Sequence, residues 1–418
     1  MNNRTIAPAP HPPQRYTPGS WMPVAGTMVA VAWGGNEFTP LLVMYRETSE
    51  FSQVTVNGLL AAYVFGIVPA LLIGGPLSDL IGRRPVMLQA APLSLVGSFL
   101  LSIGPHEPLI IAAGRVFCGL ALGIVMAVGS TWITELIYHS GGDHSGGPRR
   151  ASLCLTIGLL IGAGLASVLA QWGPWPQHLA YLVHIAVTVA TGLWLLNTPD
   201  TRVPKHGTVG RTVWLLTVGD MVTMLRIPKA AHRRFLRIVL PVAPWVFGCA
   251  GAAYALLPQL LSVSAGDVPI AFSGLMTVIT LGCGVGVQML GKRIDTARSA
   301  RASAVAMSVI FAGTVLGACA AYTLSLPLGI AAAATMGAGY GLALVAGLSE
   351  IQRIAHPEEL AGLTAVFYSL TYTGFFIPMT FSALAPYVGF TALFLVGSAL
   401  ALVCLVNVFA GWRAHLPA

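Results

Sequence analysis

Two ionisable side chains lie deep inside long apolar runs of this chain, Glu37 and Arg115. A charge left alone at such a depth costs at least about 2.5–3.5 kcal/mol on insertion scales, so an ion inside a membrane span is a functional hypothesis by default. Glu37 comes eight residues before the end of the first run (22–45), and Arg115 about six residues into the fourth (109–135). At ~1.5 Å of rise per residue both sit roughly 9–12 Å below the same surface. Opposite charge at equal depth makes them a candidate pair. Protonating Glu37 would free Arg115, which is the chemistry of a proton switch. The plainer alternative is a structural ion pair that locks two helices together.

The text around Glu37 reads Trp33-Gly-Gly-Asn36-Glu37-Phe-Thr-Pro40. Gly34, Gly35 and Pro40 weaken a helix there, and Trp33 and Asn36 fall on or near the carboxylate's face. Asn36 can bond a solute or orient Glu37. Later in the chain Tyr254, Tyr340, Tyr368 and Tyr372 are candidates for an aromatic wall. Spans seven to twelve bury no charged residue, so any energy coupling is expected in the first half. His178 and His184 are six apart, share no helix face, and carry no assignment.

A second constellation joins spans two and three: Gly75-Pro-Leu-Ser-Asp79-Leu-Ile-Gly82-Arg83-Arg84. The link is so short that it must turn tightly, which accounts for its glycines. Asp79, Arg83 and Arg84 are placed to meet neighbouring helix ends, and Glu135, at the same end of span four, can join them. A weaker copy, Gly291-Lys-Arg-Ile-Asp295, follows span eight at an offset of 216 residues. There Ser299 stands where Arg83 would be, and Arg298 and Arg301 are the expected substitutes.

These residues need a membrane-spanning frame. The chain has 418 residues, 56% apolar and only 9% charged, against roughly 25% charged in a soluble domain. Twelve runs are long enough to cross a bilayer as helices: 22–45, 53–73, 86–104, 109–135, 151–171, 178–197, 237–258, 270–290, 302–322, 327–349, 360–384 and 390–411. With the N-terminus inside, 20 of the 22 Lys and Arg fall on the cytoplasmic side; Arg46 alone falls outside and Arg115 within a span. That satisfies the positive-inside rule. The net charge of +8 then reflects topology and contact with membrane lipid, and nucleic-acid binding is an unneeded reading. Nineteen Arg against three Lys suggest a GC-rich bacterial genome.

The division follows from the longest polar interval. Residues 1–20 read as a disordered cytoplasmic tail, 21–197 as a six-helix half, 198–236 as a linker with an interfacial amphipathic helix (211–226), 237–411 as a second six-helix half, and 412–418 as a cytoplasmic tail. All six cysteines lie in spans, which implies no disulfide framework. Gly286-Val-Gln-Met-Leu-Gly291-Lys292-Arg293 lacks the Ser/Thr and the preceding strand of a P-loop. His139, Asp143 and His144 read as a solvated loop, with no metal. No nucleophile–base or paired-carboxylate arrangement appears, so an enzyme is not expected and no cofactor is implied.

The link G-x-L-S-D-x-x-G-R-R after the second span resembles the signature loop of the major facilitator superfamily, and Arg115-x-x-x-Gly119-x-x-x-Gly123 is similar to its helix-four motif. The resemblance implies an all-α membrane protein of twelve helices in two pseudo-symmetric halves, with helices one and four lining a central cavity. It also implies a monomer that moves a small-molecule substrate by alternating access. Glu37 and Arg115 would then couple protons. Gly75, Asp79, Gly82, Arg83, Arg84 and Glu135 would form a cytoplasmic gate, with Gly291 and Asp295 in the second half. In character the chain looks closest to bacterial proton-coupled drug or metabolite exporters of the cell membrane, both termini cytoplasmic, which makes export by antiport the leading expectation. Gly158-Leu-Leu-Ile-Gly162-Ala163-Gly164-Leu-Ala166-Ser167 departs from the family's antiporter helix five, lacking its proline and final glycine pair. Uptake by symport or facilitation is the alternative; a non-transporting sensor on the same fold is the alternative of another class.

Overall fold

A computed structural model describes residues 16–142, 146–202, 232–296, 298–356 and 359–413. The amphipathic helix expected at 211–226 and most of both tails lie outside the described residues. All regular structure among the described residues is helical, apart from one isolated bridge between Thr296 and Ser299. In lipid every backbone group must be bonded within its own segment, and apolar runs of this length can do that only as helices.

Among the described residues nine helices are long and apolar enough to cross a membrane, and a tenth, Leu179–Leu195, is shorter. Two further crossings are interrupted, which brings the total to twelve. The first, α1, runs Met22–Asn36, passes through a 3₁₀ turn at Thr39–Leu41, and resumes over Leu42–Thr48. Pro40 sits in that turn and offers no N–H, so the helical ladder is broken beside Glu37. The others are α2 (Gln53–Ile81), α3 (Arg83–Ile103), α4 (Pro108–His139), α5 (Gly146–Trp172), α6 (Leu179–Leu195), α7 (Phe235–Leu260), α8 (Pro269–Ile294), α9 (Arg301–Thr323) and α10 (Leu326–Ile354). The eleventh, α11, comprises Leu360–Tyr372, a 3₁₀ turn Thr373–Phe375 and Phe376–Val388; α12 is Phe390–Ala410.

The packing repeats with a period of six helices. The pairs α2–α4, α3–α4 and α3–α6 recur as α8–α10, α9–α10 and α9–α12, and the pairs that join the halves, α5–α8 and α11–α2, are related in the same way. The closest approaches repeat too. A Cβ on Gly119 of α4 would lie 2.3 Å from the Tyr63 carbonyl of α2, and one on Gly341 of α10 would lie 2.0 Å from the Gly284 carbonyl of α8. Helices in lipid gain from such backbone-to-backbone contact. Helix α5 keeps its small residues for the same reason, since a Cβ on Gly158 would lie 2.4 Å from the Val29 carbonyl of α1.

Arg83, Arg84, Arg353 and Arg234 mark one side of the bundle, here termed the basic side. On the opposite face hydrogen bonds tie the halves together. Asn57 donates to Ser382 Oγ (2.8 Å) and accepts from Gln259 Nε2 (3.0 Å). Gln171 at the end of α5 accepts from the Ile270 and Ala271 amides that open α8. That face is closed.

Candidate functional site

Glu37 follows directly on the last turn of α1 and is completely buried, as is Arg115 on α4. The break in α1 aims the carboxylate at α3 and α6. Glu37 Oε1 accepts from Ser98 Oγ of α3 at 2.9 Å and stands 3.6 Å from His184 Nδ1 of α6. Ser98 Oγ and His184 Nδ1 are themselves 2.7 Å apart, and His184 Nε2 reaches the Ala30 carbonyl at 2.9 Å. The other carboxylate oxygen, Oε2, has no hydrogen-bond partner among the described residues. Trp33 Nε1 lies beside the carboxylate but makes no hydrogen bond of good geometry.

No direct ion pair joins Glu37 to Arg115 among the described residues. Arg115 is held otherwise: Nη1 donates to the Gly35 carbonyl at 3.2 Å, and the guanidinium lies over the rings of Phe38 (4.8 Å) and Tyr63 (4.6 Å). A desolvated cation between aromatic faces gains about 2 kcal/mol or more, so the rings take the place an ion-pair partner would fill. Its Nε has no hydrogen-bond partner among the described residues. The two charges thus share a neighbourhood, Gly35 to Phe38, without touching.

Tyr63 carries the site across to the second half. Its ring meets Tyr372 (6.4 Å) and Phe375 (6.3 Å), and Phe247 stacks on Tyr372 at 4.5 Å and faces Tyr340 at 5.8 Å. Tyr372 and Tyr340 therefore share one aromatic cluster. Tyr254 is buried in the π-helical turn Ala252–Leu256 of α7, while the Tyr368 ring lies tilted beside Phe367, 5.9 Å between centroids. Asn36 is spent inside the protein, bonding the Leu159 carbonyl and Thr39.

On the basic side Arg83 is buried and bonds Asp79 Oδ1 (2.8 Å), Glu135 Oε1 (3.1 Å) and Ser78 Oγ (2.6 Å). Gly82 adopts φ +105°, and a Cβ there would lie 2.4 Å from Asp200 Oδ2. That space lets the Asp200 carboxylate accept from the Arg83 and Arg84 amides. The stretch after α6 adds Arg202, on Asp79 at 2.5 Å, and Thr201, on Glu135. Arg84 donates to the Leu196 carbonyl. Tyr16 donates to the Asp200 carbonyl, its phenol raised above the ordinary value by burial and by the Asp200 and Glu135 charges. Gly75 has open space where a Cβ would go.

The second half differs from the sequence reading. Asp295 bonds Arg353 of α10 at 2.5 Å, whereas Arg298 and Arg301 are exposed. Gly291 lies within α8, which runs on to Ile294. Arg353 also bonds Glu350, which pairs in full burial with Arg234 (2.5 and 2.9 Å). The expectation of no buried charge in spans seven to twelve is thereby corrected: α10 continues to Ile354 and buries Glu350. Sequence reasoning also missed His184, Ser98, Phe38, Tyr63 and Phe247. Of these only His184, a titratable residue in an apolar span, left a signal.

Fold and site together define a polytopic helical membrane protein, built of two like halves around a buried charged centre. Residues 24–378 match the Major Facilitator Superfamily, and the chain belongs to that family. Its sequence is similar to a probable inositol transporter 2 of Arabidopsis thaliana, 32% identical over 131 residues, which is 31% of this chain and 19% of that one. It is also similar to a D-xylose-proton symporter-like 2 of the same plant, 26% identical over 152 residues, covering 35% and 28%. The matched stretch is less than a third of either relative's own length. A crystal structure of the peptide transporter POT in complex with sulfate shares the fold, with TM-score 0.74 over 94% of this chain and 94% of that one at 16% identity.

Proposed function

We propose that this chain is a proton-coupled secondary transporter that takes up a small polyhydroxylated solute by alternating access. The observation that carries the reading is the Glu37 carboxylate, fully buried, with Oε2 unpartnered while Oε1 is held by Ser98 beside His184. A buried carboxylate lacking half its partners is suited to take a proton, and the aromatic clamp keeps Arg115 within the same neighbourhood. The Tyr63, Tyr372, Phe247 and Tyr340 rings supply apolar faces for a ring-shaped solute. The relatives above are named for inositol and D-xylose, one of them as a proton symporter, which favours uptake over the export of a drug-like compound expected first. The antiporter pattern missing from α5 points the same way.

In this reading the chain is a monomer in the cell membrane, its basic side cytoplasmic and its halves 21–197 and 237–411 joined by 198–236. The Arg83–Asp79–Glu135 cluster and its counterpart Asp295–Arg353–Glu350 brace the cytoplasmic ends of each half as the cavity opens and closes. Proteoliposomes with an imposed pH gradient and labelled myo-inositol and D-xylose test the reading. Uphill accumulation supports it, and a solute that binds without crossing would make the chain a sensor instead.

A further inference from the structure

We infer that a groove on the basic side, between α9 and the end of α12, binds one anionic phospholipid. The groove has a volume of about 460 Å³ and an almost wholly apolar lining that includes Val305, Ser308, Ala312, Phe409 and Trp412, with Arg301 at its mouth. From Arg301 to Ala312 is eleven residues of helix, or ~16 Å of rise. The hydrocarbon core is ≈30 Å thick, so the groove runs from the interface to about the midplane. That is the depth of one leaflet, the reach of one acyl chain.

The mouth has the complementary charge. Arg301 is exposed and makes no ion pair among the described residues. The Ala300 amide donates to the Trp412 carbonyl at 2.9 Å, which brings the start of α9 against the end of α12. Arg298 and Arg413, both exposed, flank that junction. Asp295, the nearest carboxylate along the chain, is engaged by Arg353, and the first turn of α9 has no acidic residue. Trp412 stacks on Phe409 with ring centroids 5.4 Å apart and planes at 7°, an aromatic pair at the level where such rings meet headgroups. Basic pockets between transmembrane helices hold anionic headgroups in this way. A free phosphate would satisfy the arginines and leave the groove empty, whereas a phospholipid fills both.

The test is native mass spectrometry of the full chain in detergent, titrated with phosphatidylglycerol or phosphatidylcholine of identical acyl chains. The wild type retains phosphatidylglycerol in preference to phosphatidylcholine. Arg301→Ala weakens phosphatidylglycerol retention roughly fivefold, the worth of one interfacial arginine. Ser308→Trp fills the groove and leaves every charge in place, and it releases the lipid as well; unchanged thermal melts of both variants show that the fold persists. Arg150→Ala, an exposed arginine on the basic side of the first half, has no effect. Equal retention of the two lipids by the wild type would overturn the proposal. So would equal losses in Arg150→Ala and Arg301→Ala, or full retention in Ser308→Trp.

Discussion

Replacing Asn57 with Ala removes two hydrogen bonds that cross between the halves on the closed face. Asn57 is fully buried; Nδ2 donates to Ser382 Oγ at 2.8 Å and Oδ1 accepts from Gln259 Nε2 at 3.0 Å. In the variant Ser382 keeps its bond to the Pro378 carbonyl, and Gln259 Nε2 keeps its bond to the Ala255 carbonyl. The second Nε2 hydrogen of buried Gln259 loses its acceptor, so the net worth of two neutral hydrogen bonds, about 1 kcal/mol each, is the lower bound of the loss. When that face opens, water serves these groups, so the loss falls on the closed form alone. The equilibrium should shift toward opening by at least about 2 kcal/mol, roughly 30-fold or more. Spin labels at Val54 of α2 and Tyr387 of α11, in a cysteine-free background, report the separation of the two halves by electron–electron resonance. The long-distance population should grow in Asn57→Ala. A distance distribution identical to that of the wild type would refute the idea that these bonds hold the face shut.

Glu37→Gln keeps the packing against Ser98 and loses the charge. A pH gradient of one unit, which drives about tenfold accumulation for one proton per solute, should yield no accumulation in the variant, while solute counterflow persists; retained accumulation would remove Glu37 from the coupling site. Gly119→Ala forces a Cβ to within 2.3 Å of the Tyr63 carbonyl. It should destabilise the protein by about 1–3 kcal/mol and lower transport by displacing Tyr63 from Arg115, as read by thermal melts and uptake together. Glu350→Ala removes one member of a buried ion pair and should cost about 3–5 kcal/mol, whereas Glu350→Leu combined with Arg234→Met should recover most of it. Denaturation midpoints that are equal for the single and double variants would show that the pair is not the load these helices share.

The twelve crossings and their two-fold repeat were legible because lipid allows few solutions to a long apolar run. Interior detail was less so. Glu37 and Arg115 stood out as charges in apolar text, but their partners did not. Ser98, Phe38 and Tyr63 are ordinary residues of apolar helices, and only the crossing of α1 with α3, α4 and α6 makes them contacts. Depth arithmetic brought Glu37 and Arg115 to one level, yet it could not foresee that two rings would occupy the guanidinium. In the first-half loop, Gly82 and Arg83 could be read from their spacing, while Asp200 and Arg202 come from a segment more than a hundred residues away. The second-half copy misled for a different reason. Ending the tenth span at 349 left Glu350 outside by a single residue, and the nearby Arg298 and Arg301 drew attention from Arg353 and Arg234.

In the proposed cycle solute and proton move together through this chain. The most direct measurement is the pH inside proteoliposomes that hold the purified protein and a trapped pH dye, followed on addition of myo-inositol or D-xylose with no imposed gradient. The interior should acidify as solute enters, and Glu37→Gln should abolish the signal. Alkalinisation on solute entry would mean exchange of solute against protons, which would restore export as the better reading. Solute entry with no change of pH would contradict proton coupling and leave Glu37 and Arg115 as structural residues.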